Sequence, residues 1–123
     1  LYNAVGVQKG DREGANRQMA KNYEFFGAPH VAIITTPKEL GAYGVLDCGA
    51  FITAFTLAAA ALGVSSIPQA AIAGRATIVR EVLNIHEDRD VLCAISFGFA
   101  DTDHPANNFR TQRANLDEFV EWV

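Results

Sequence analysis

The sequence predicts an α+β fold of the layered α/β kind. Two apolar, β-branched runs have the length of buried strands: HVAIITT at 30–36 and VLCAISFGFA at 91–100. Between them lie a long Ala- and Leu-rich segment, from Tyr43 to Leu62, and a shorter one, 75–85. The shorter one repeats Ile78, Val79, Val82 and Leu83 at helical spacing. The full order is helix, strand, helix, strand, helix, strand and an irregular tail, the pattern of helices laid on a sheet.

Each element has its own local reason. Asp11 is placed to cap a polar helix running through Gln18 and Lys21. FFGAP, from Phe25 to Pro29, ends that helix with turn residues, and its paired Phe are expected to tuck into a core. The strand at 30–36 closes at Thr36-Pro37. The segment from Tyr43 to Leu62 is apolar nearly all round, so burial on several sides is expected. A segment of about 20 apolar residues has the length of a membrane span. Asp47, two Gly, two Thr and the absence of basic flanks argue instead for a helix inside a soluble protein. Its small residues Gly49, Ala50, Ala54, Ala58 and Ala61 let a second helix approach closely, which points to a dimer core. A charge at Asp47 is costly there unless it is paired or capping, so a structural hydrogen bond near the helix start is expected.

Gly63 is expected to end the long helix as a left-handed cap. VSSIPQAAIAG (64–74) reads as a short strand broken by Pro68, and HEDRD (86–90) as a charged loop. In the tail, Phe119, Val120, Trp122 and Val123 are too apolar to hang free. They need a surface to lie on, in the chain or on a partner subunit.

Composition narrows the function. One domain, 1–123, is expected, since 123 residues suffice for one core. Half the residues are hydrophobic and the net charge is -4, which excludes the basic footprint of non-specific nucleic-acid binding. Cys48 and Cys93 sit in apolar runs without CxxC spacing, so buried inert thiols in a reducing, cytoplasmic compartment are expected. No charged and apolar leader opens the sequence. LYNAVGVQKGD reads instead as the end of a helix and a Gly turn, so the sequence is expected to be the C-terminal part of a longer domain.

GxGxxG after a strand, GxxxxGK[ST], HExxH and GxSxG are all absent. His86 in its charged loop reads as solvated, and His30 as a packing or capping residue. Asp101, Asp103 and His104 form either a metal cluster or, more simply, a turn rich in Asx and Pro. Two features ask for more. In Ile67-Pro68-Gln69-Ala70-Ala71, Pro68 bends the chain and the small residues leave backbone N–H groups approachable. Such a segment suits the polar edge of a flat heterocycle, or is simply an edge strand with a Pro kink. In Asn108-Phe109-Arg110-Thr111-Gln112-Arg113, two Arg beside Asn and Thr suit a phosphate, or form a solvated basic turn.

At these residues the sequence resembles the nitroreductase family of FMN-dependent oxidoreductases. The likeness runs through FFGAP and its strand, VLDCGAFITAFTLAAAALGVSSIPQAAIA, IVREVLNIHEDRDVLCAISFGFAD and DHPANNFRTQRANLDEFVEW, in that order. LGVSSIPQAA together with HPANNFRTQRA is close to the nitrobenzene-type subgroup. The resemblance implies a mixed sheet flanked by helices, an intertwined homodimer with FMN at the subunit interface, and the Tyr43 to Leu62 helix at the dimer core. It implies that the C-terminal apolar stretch joins the partner's sheet. Pro68, Gln69, Ala70 and Ala71 match the family segment beside the flavin N5/O4 edge; Arg110 and Arg113 match its phosphate-binding residues. NAD(P)H as donor, and nitroaromatics or quinones as acceptors of a ping-pong reaction, are implied with them. The family's N-terminal Arg-rich motif is not in this sequence. That departure keeps an alternative open: a non-catalytic fragment that dimerises through the long helix without flavin.

Overall fold

A computed structural model describes residues 1–123 and has the expected order of elements. Helix α1 (Arg12–Ala20) starts at Asp11, whose carboxylate accepts a hydrogen bond from Gly14 N–H at 2.8 Å. A 3-10 segment, Lys21–Gly27, leads to strand β1 (His30–Pro37), and helix α2 (Gly41–Ala61) follows. Strand β2 (Ser65–Gln69), a 3-10 turn (Ala70–Arg75), helix α3 (Ala76–Leu83) and strand β3 (Arg89–Gly98) complete the layered part. The tail contains two short 3-10 turns, Pro105–Asn108 and Leu116–Glu118.

The sheet has the order β1-β3-β2. The last strand inserts between two strands that run the same way, so both pairings are antiparallel, where a mixed sheet was expected. Strand β3 also starts earlier than expected. Arg89 and Asp90, read as loop, pair with Pro37 and Thr36. The reason is a side chain: the Arg89 guanidinium donates to Thr35 Oγ1 at 2.8 Å and to the Thr35 carbonyl at 3.0 Å.

Helix α2 covers one face of the sheet. Gly44, Cys48, Ile52, Phe55 and Ala59 recur at helical spacing, and Cys48, Ile52 and Phe55 pack on Ile34, Cys93 and Ile95. Gly44 permits this closeness, because a Cβ there would collide with Thr36 Oγ1 and the Leu40 side chain. The helix ends in a Schellman motif around Gly63 (φ 73°): Val64 N–H donates to the Ala59 carbonyl and Gly63 N–H to that of Ala60.

Several expectations of burial fail within this chain. The other face of α2 is open, with Tyr43 80%, Leu46 70% and Leu57 67% exposed. Asp47 lies on that open side and makes no structural hydrogen bond; it needs none in contact with water. Thr53 and Thr56 do satisfy their hydroxyls, on the carbonyls of Gly49 and Thr53. By length and composition Lys38–Ala61 is long and apolar enough to cross a membrane, yet one face of α2 is the lid of a sheet. Phe26 points out and Phe25 is only half-buried, because both sit in the left-handed region (φ 53° and 52°), which turns them away from the core. Strand β1 buries only Ile34 and Thr36. In the tail Phe119, Trp122 and Val123 are exposed.

The accessible surface is 9335 Å², against about 6,500 Å² for a compact monomer of this mass. Large hydrophobic side chains such as Tyr43, Leu46, Leu57, Phe99 and Trp122 contribute to that excess. The face of the sheet opposite α2 holds a cleft of about 580 Å³, lined by residues such as Val31, Ile33, Ile72, Ile78 and Val82, with Arg75 as its one charged residue.

Candidate functional site

The first candidate segment is the corner where β2 turns into the 3-10 helix Ala70–Arg75. β2 is an edge strand, the position where a residue without N–H is tolerated, and Pro68 stands there exposed. Ala70 is exposed and Ala71 half-buried. Both stand in the first turn of a helix, where backbone N–H groups have no partner inside the helix. The corner therefore presents donors at a surface cleared of bulky side chains.

Gln69 differs from its neighbours. Its side chain is 3% exposed and turned into the chain. Its Oε1 accepts a hydrogen bond from Ser96 Oγ on β3. Its Nε2 donates to the Asn22 carbonyl at 2.9 Å and lies 3.5 Å from Asn22 Oδ1. So Gln69 has only its main chain to offer a bound group. Next to it, the Arg75 guanidinium stands 5.5 Å from the centre of the Tyr23 ring. The 3-10 turn lies across β3 and buries Ile72.

The second candidate segment is the tail. Arg110 donates to the carbonyls of Asn107 (2.5 Å) and Phe109 (2.9 Å). Arg113 donates to Thr111 Oγ1. Both arginines are exposed, and neither has a carboxylate partner; the cation–carboxylate contact of an arginine in this chain is Arg17–Glu13. Each guanidinium keeps free donors for an anion. The turn before them is held by His104 Nδ1, which accepts from Ala106 N–H at 3.2 Å, and by Asp101 Oδ1, which accepts from Asp103 N–H at 3.1 Å. Those side chains serve the turn. The Pro105–Asn108 segment packs on the Tyr2–Val5 turn. No hydrogen bond or ion pair joins the arginines to residues 68–71, so the two parts of the expected site are not brought together by bonds within this chain.

Of the cysteines, Cys93 is buried beneath α2. Burial pushes its thiol above the ordinary value of 9.0, and the neighbouring Cys48 adds to the rise. Such a thiol is a poor nucleophile, which suits a packing role.

Sequence reading missed Asn22 and Ser96. Ser96 carried a signal: it is a polar residue inside an otherwise apolar strand, and such a group must find a partner. Asn22 carried none, since its carbonyl is the acceptor. The capping box at Asn115 and Glu118 was also legible as N-x-x-E, and Asn115 N–H indeed donates to Glu118 Oε1 at 3.0 Å.

This architecture is that of a known class of proteins. Residues 2–99 match the nitroreductase family model. The chain belongs to the nitroreductase family. It is 36% identical over 118 residues to nitroreductase NfnB of Mycolicibacterium smegmatis, covering 96% of this chain and 50% of that protein. It is 30% identical over 123 residues to 4-nitrobenzoate reductase of Pseudomonas putida, covering 100% of this chain and 54% of the relative. Its fold superposes on the FMN-dependent nitroreductase NfnB from Mycobacterium smegmatis, solved in complex with NADPH, with a TM-score of 0.92 at 34% identity over 99% of this chain and 55% of that one. The FMN- and NADPH-dependent NfnB from Sphigopyxis sp. strain HMH gives 0.95 at 28% identity, again over 99% and 55%. The chain spans about half the length of the curated relatives it matches. The family match contains the 68–71 corner and ends before the two arginines, which the longer likenesses include.

Proposed function

We propose that this chain is the C-terminal part, residues 1–123 of a single domain, of an FMN-dependent oxidoreductase that reduces nitroaromatic or quinone-like acceptors with NAD(P)H as a homodimer in the cytoplasm. The observation that carries the reading is the 68–71 corner: unpartnered first-turn N–H donors, a flat approach past Pro68 and Ala70, and a buried side chain anchoring it. The superposed FMN-dependent nitroreductases, one solved with NADPH, support it.

When bound, FMN would supply hydride transfer at N5, from NAD(P)H to the acceptor in ping-pong order. The chain's own work is binding and orientation. The N–H groups of Ala70 and Ala71 would donate to acceptor atoms of the ring. Arg110 and Arg113 would hold the phosphate, with their fork geometry suited to its oxygens. Pro68 leaves this edge without a competing N–H donor. No side chain here needs to act as acid, base or nucleophile.

The exposed side of α2 supports the homodimer. Its large apolar residues stand among small ones, and Thr53 and Thr56 bury their own polarity, so a second α2 can pack there closely. A specific observation keeps the flavin-free reading in view: the arginines have no tie to the corner. One pair of measurements decides between them. The full-length protein should show a flavin absorbance band that bleaches on adding NAD(P)H; colourless protein that takes up no FMN defeats the proposal. FMN at 100 times its dissociation constant should raise stability by about 2.7 kcal/mol. A dimer whose melting temperature ignores FMN is the flavin-free case.

A further inference from the structure

We propose that Gln69 is a positioning residue, a latch that fixes the backbone donors of Ala70 and Ala71 from beneath. For its use, this rests on the flavin reading of the corner. The latch itself stands on hydrogen bonds and burial. A primary amide has one acceptor oxygen and two N–H donors. Gln69 spends the oxygen on Ser96 Oγ and a donor on the Asn22 carbonyl, at 3% exposure. Ser96 is itself 2% exposed. Unmade polar bonds at such depth are costly, so the amide has one stable orientation.

The latch ties three segments that are far apart in sequence. Ser96 belongs to the central strand β3, and Asn22 to the 3-10 segment before β1, 47 residues from Gln69. That segment is itself held in an uncommon shape by the left-handed Phe25 and Phe26. Gln69 is the residue preceding the helix, in extended conformation (φ -125°, ψ 96°). Its ψ helps set the plane of the peptide that carries the Ala70 N–H. A side chain clamped on both sides fixes that plane, and the Ala71 donor follows within the same turn. An apolar side chain of similar size would fill the space and leave Ser96 Oγ and the Asn22 carbonyl without partners. The corner would then relax.

Backbone nitrogen-15 relaxation in the flavin-stripped, full-length protein tests this without any turnover. In Gln69→Leu the order parameters of the Ala70 and Ala71 N–H groups should fall from about 0.85 to below about 0.6, with Ala94 and Ile95 unchanged, as for a local loosening. Ser96→Ala removes only one hydroxyl and should give a smaller change at the same two amides; it serves if Gln69→Leu does not fold. Gln69→Glu supplies a rescue. Protonated, its carboxyl keeps an acceptor for Ser96 and a donor for Asn22; ionised, it loses the donor. Order at Ala70 and Ala71 should therefore return as pH falls. Unchanged order parameters at Ala70 and Ala71, or an equal fall across β3, overturn the latch. In protein reloaded with FMN, the variants should bind it more weakly and shift its absorbance band. If the amides loosen while affinity and band stay as in the wild type, the latch does not serve the flavin and the positioning role is overturned. A wild-type protein that takes up no FMN overturns the flavin reading instead, and relaxation then decides the latch alone.

Discussion

The two parts of the site are built in opposite ways. At the 68–71 corner, a buried side chain reaches across the molecule, to β3 and to a segment 47 residues away. Every side-chain hydrogen bond of Arg110 and Arg113 stays within three residues, and both arginines are exposed. Long-range buried bonds restrict a segment to one arrangement, whereas short-range exposed ones exchange readily with water. This chain fixes the corner by its own long-range bonds, whereas it fixes the arginines only within their own turn. The same division separates the two faces of α2: one packs on the sheet, the other carries Tyr43, Leu46 and Leu57 into the open.

The strongest way to break the comparison is to attack the open face. Leu46→Glu with Leu57→Glu should convert the proposed homodimer to monomer in sedimentation experiments. A charge forced into an apolar contact costs several kcal/mol, so dimer affinity should fall by roughly a hundredfold or more. FMN retention should be lost with the dimer, while the N–H groups of Ala70 and Ala71 keep their order parameters. A variant that remains dimeric removes α2 from the interface. A variant that loses order at the corner shows that the corner, too, depends on the partner.

A smaller effect belongs to Arg113→Ala. A charge-assisted hydrogen bond contributes about 1.5–3 kcal/mol, so FMN should bind roughly tenfold to a hundredfold more weakly, with melting temperature of the flavin-free protein unchanged. Equilibrium dialysis checks it; unaltered affinity takes Arg113 out of the site. Arg110 already donates to two carbonyls, and its replacement should also shift the local turn.

The smallest effect concerns the prepared side. Cys93 is buried and its thiol raised, so at pH 8 it should react with an alkylating reagent more slowly than Cys48. The linkage has a definite sign. Below 9.0 both folded and unfolded chains keep the Cys93 proton; above it the unfolded chain releases it first. Stability should therefore be insensitive to this group below 9.0 and decline as pH rises through and beyond that value. Denaturant melts at a series of pH values, compared with Cys93→Ala, isolate the contribution. Equal reactivity of the two cysteines would mean that α2 lifts from the sheet readily.

Local signals made much of this readable. Asp11 before a polar helix, Gly63 after an apolar one, and Pro68 inside a short strand each act over a few residues, and each stands where its chemistry requires. The periodicity of Ile78, Val79, Val82 and Leu83 led to α3 (Ala76–Leu83) in the same way. Failures occurred where a distant residue decided. Arg89 joins β3 because Thr35 accepts its guanidinium. Phe26 is exposed and Phe25 only half-buried, where the segment packed on the Ala70–Arg75 turn takes a left-handed backbone. Asp47 has no partner because its side of α2 faces solvent.

The amino-acid order alone thus determined the succession of elements, the family, and which short segments carry polar chemistry, because caps, turns and periodicities are local interactions. Tertiary structure alone decided the antiparallel pairing around β3, the open faces of α2 and the tail, and the turning of Gln69 away from the surface into a bond with Ser96 and Asn22. Those depend on contacts between residues remote in sequence, and no local pattern encodes which remote group a buried amide will meet.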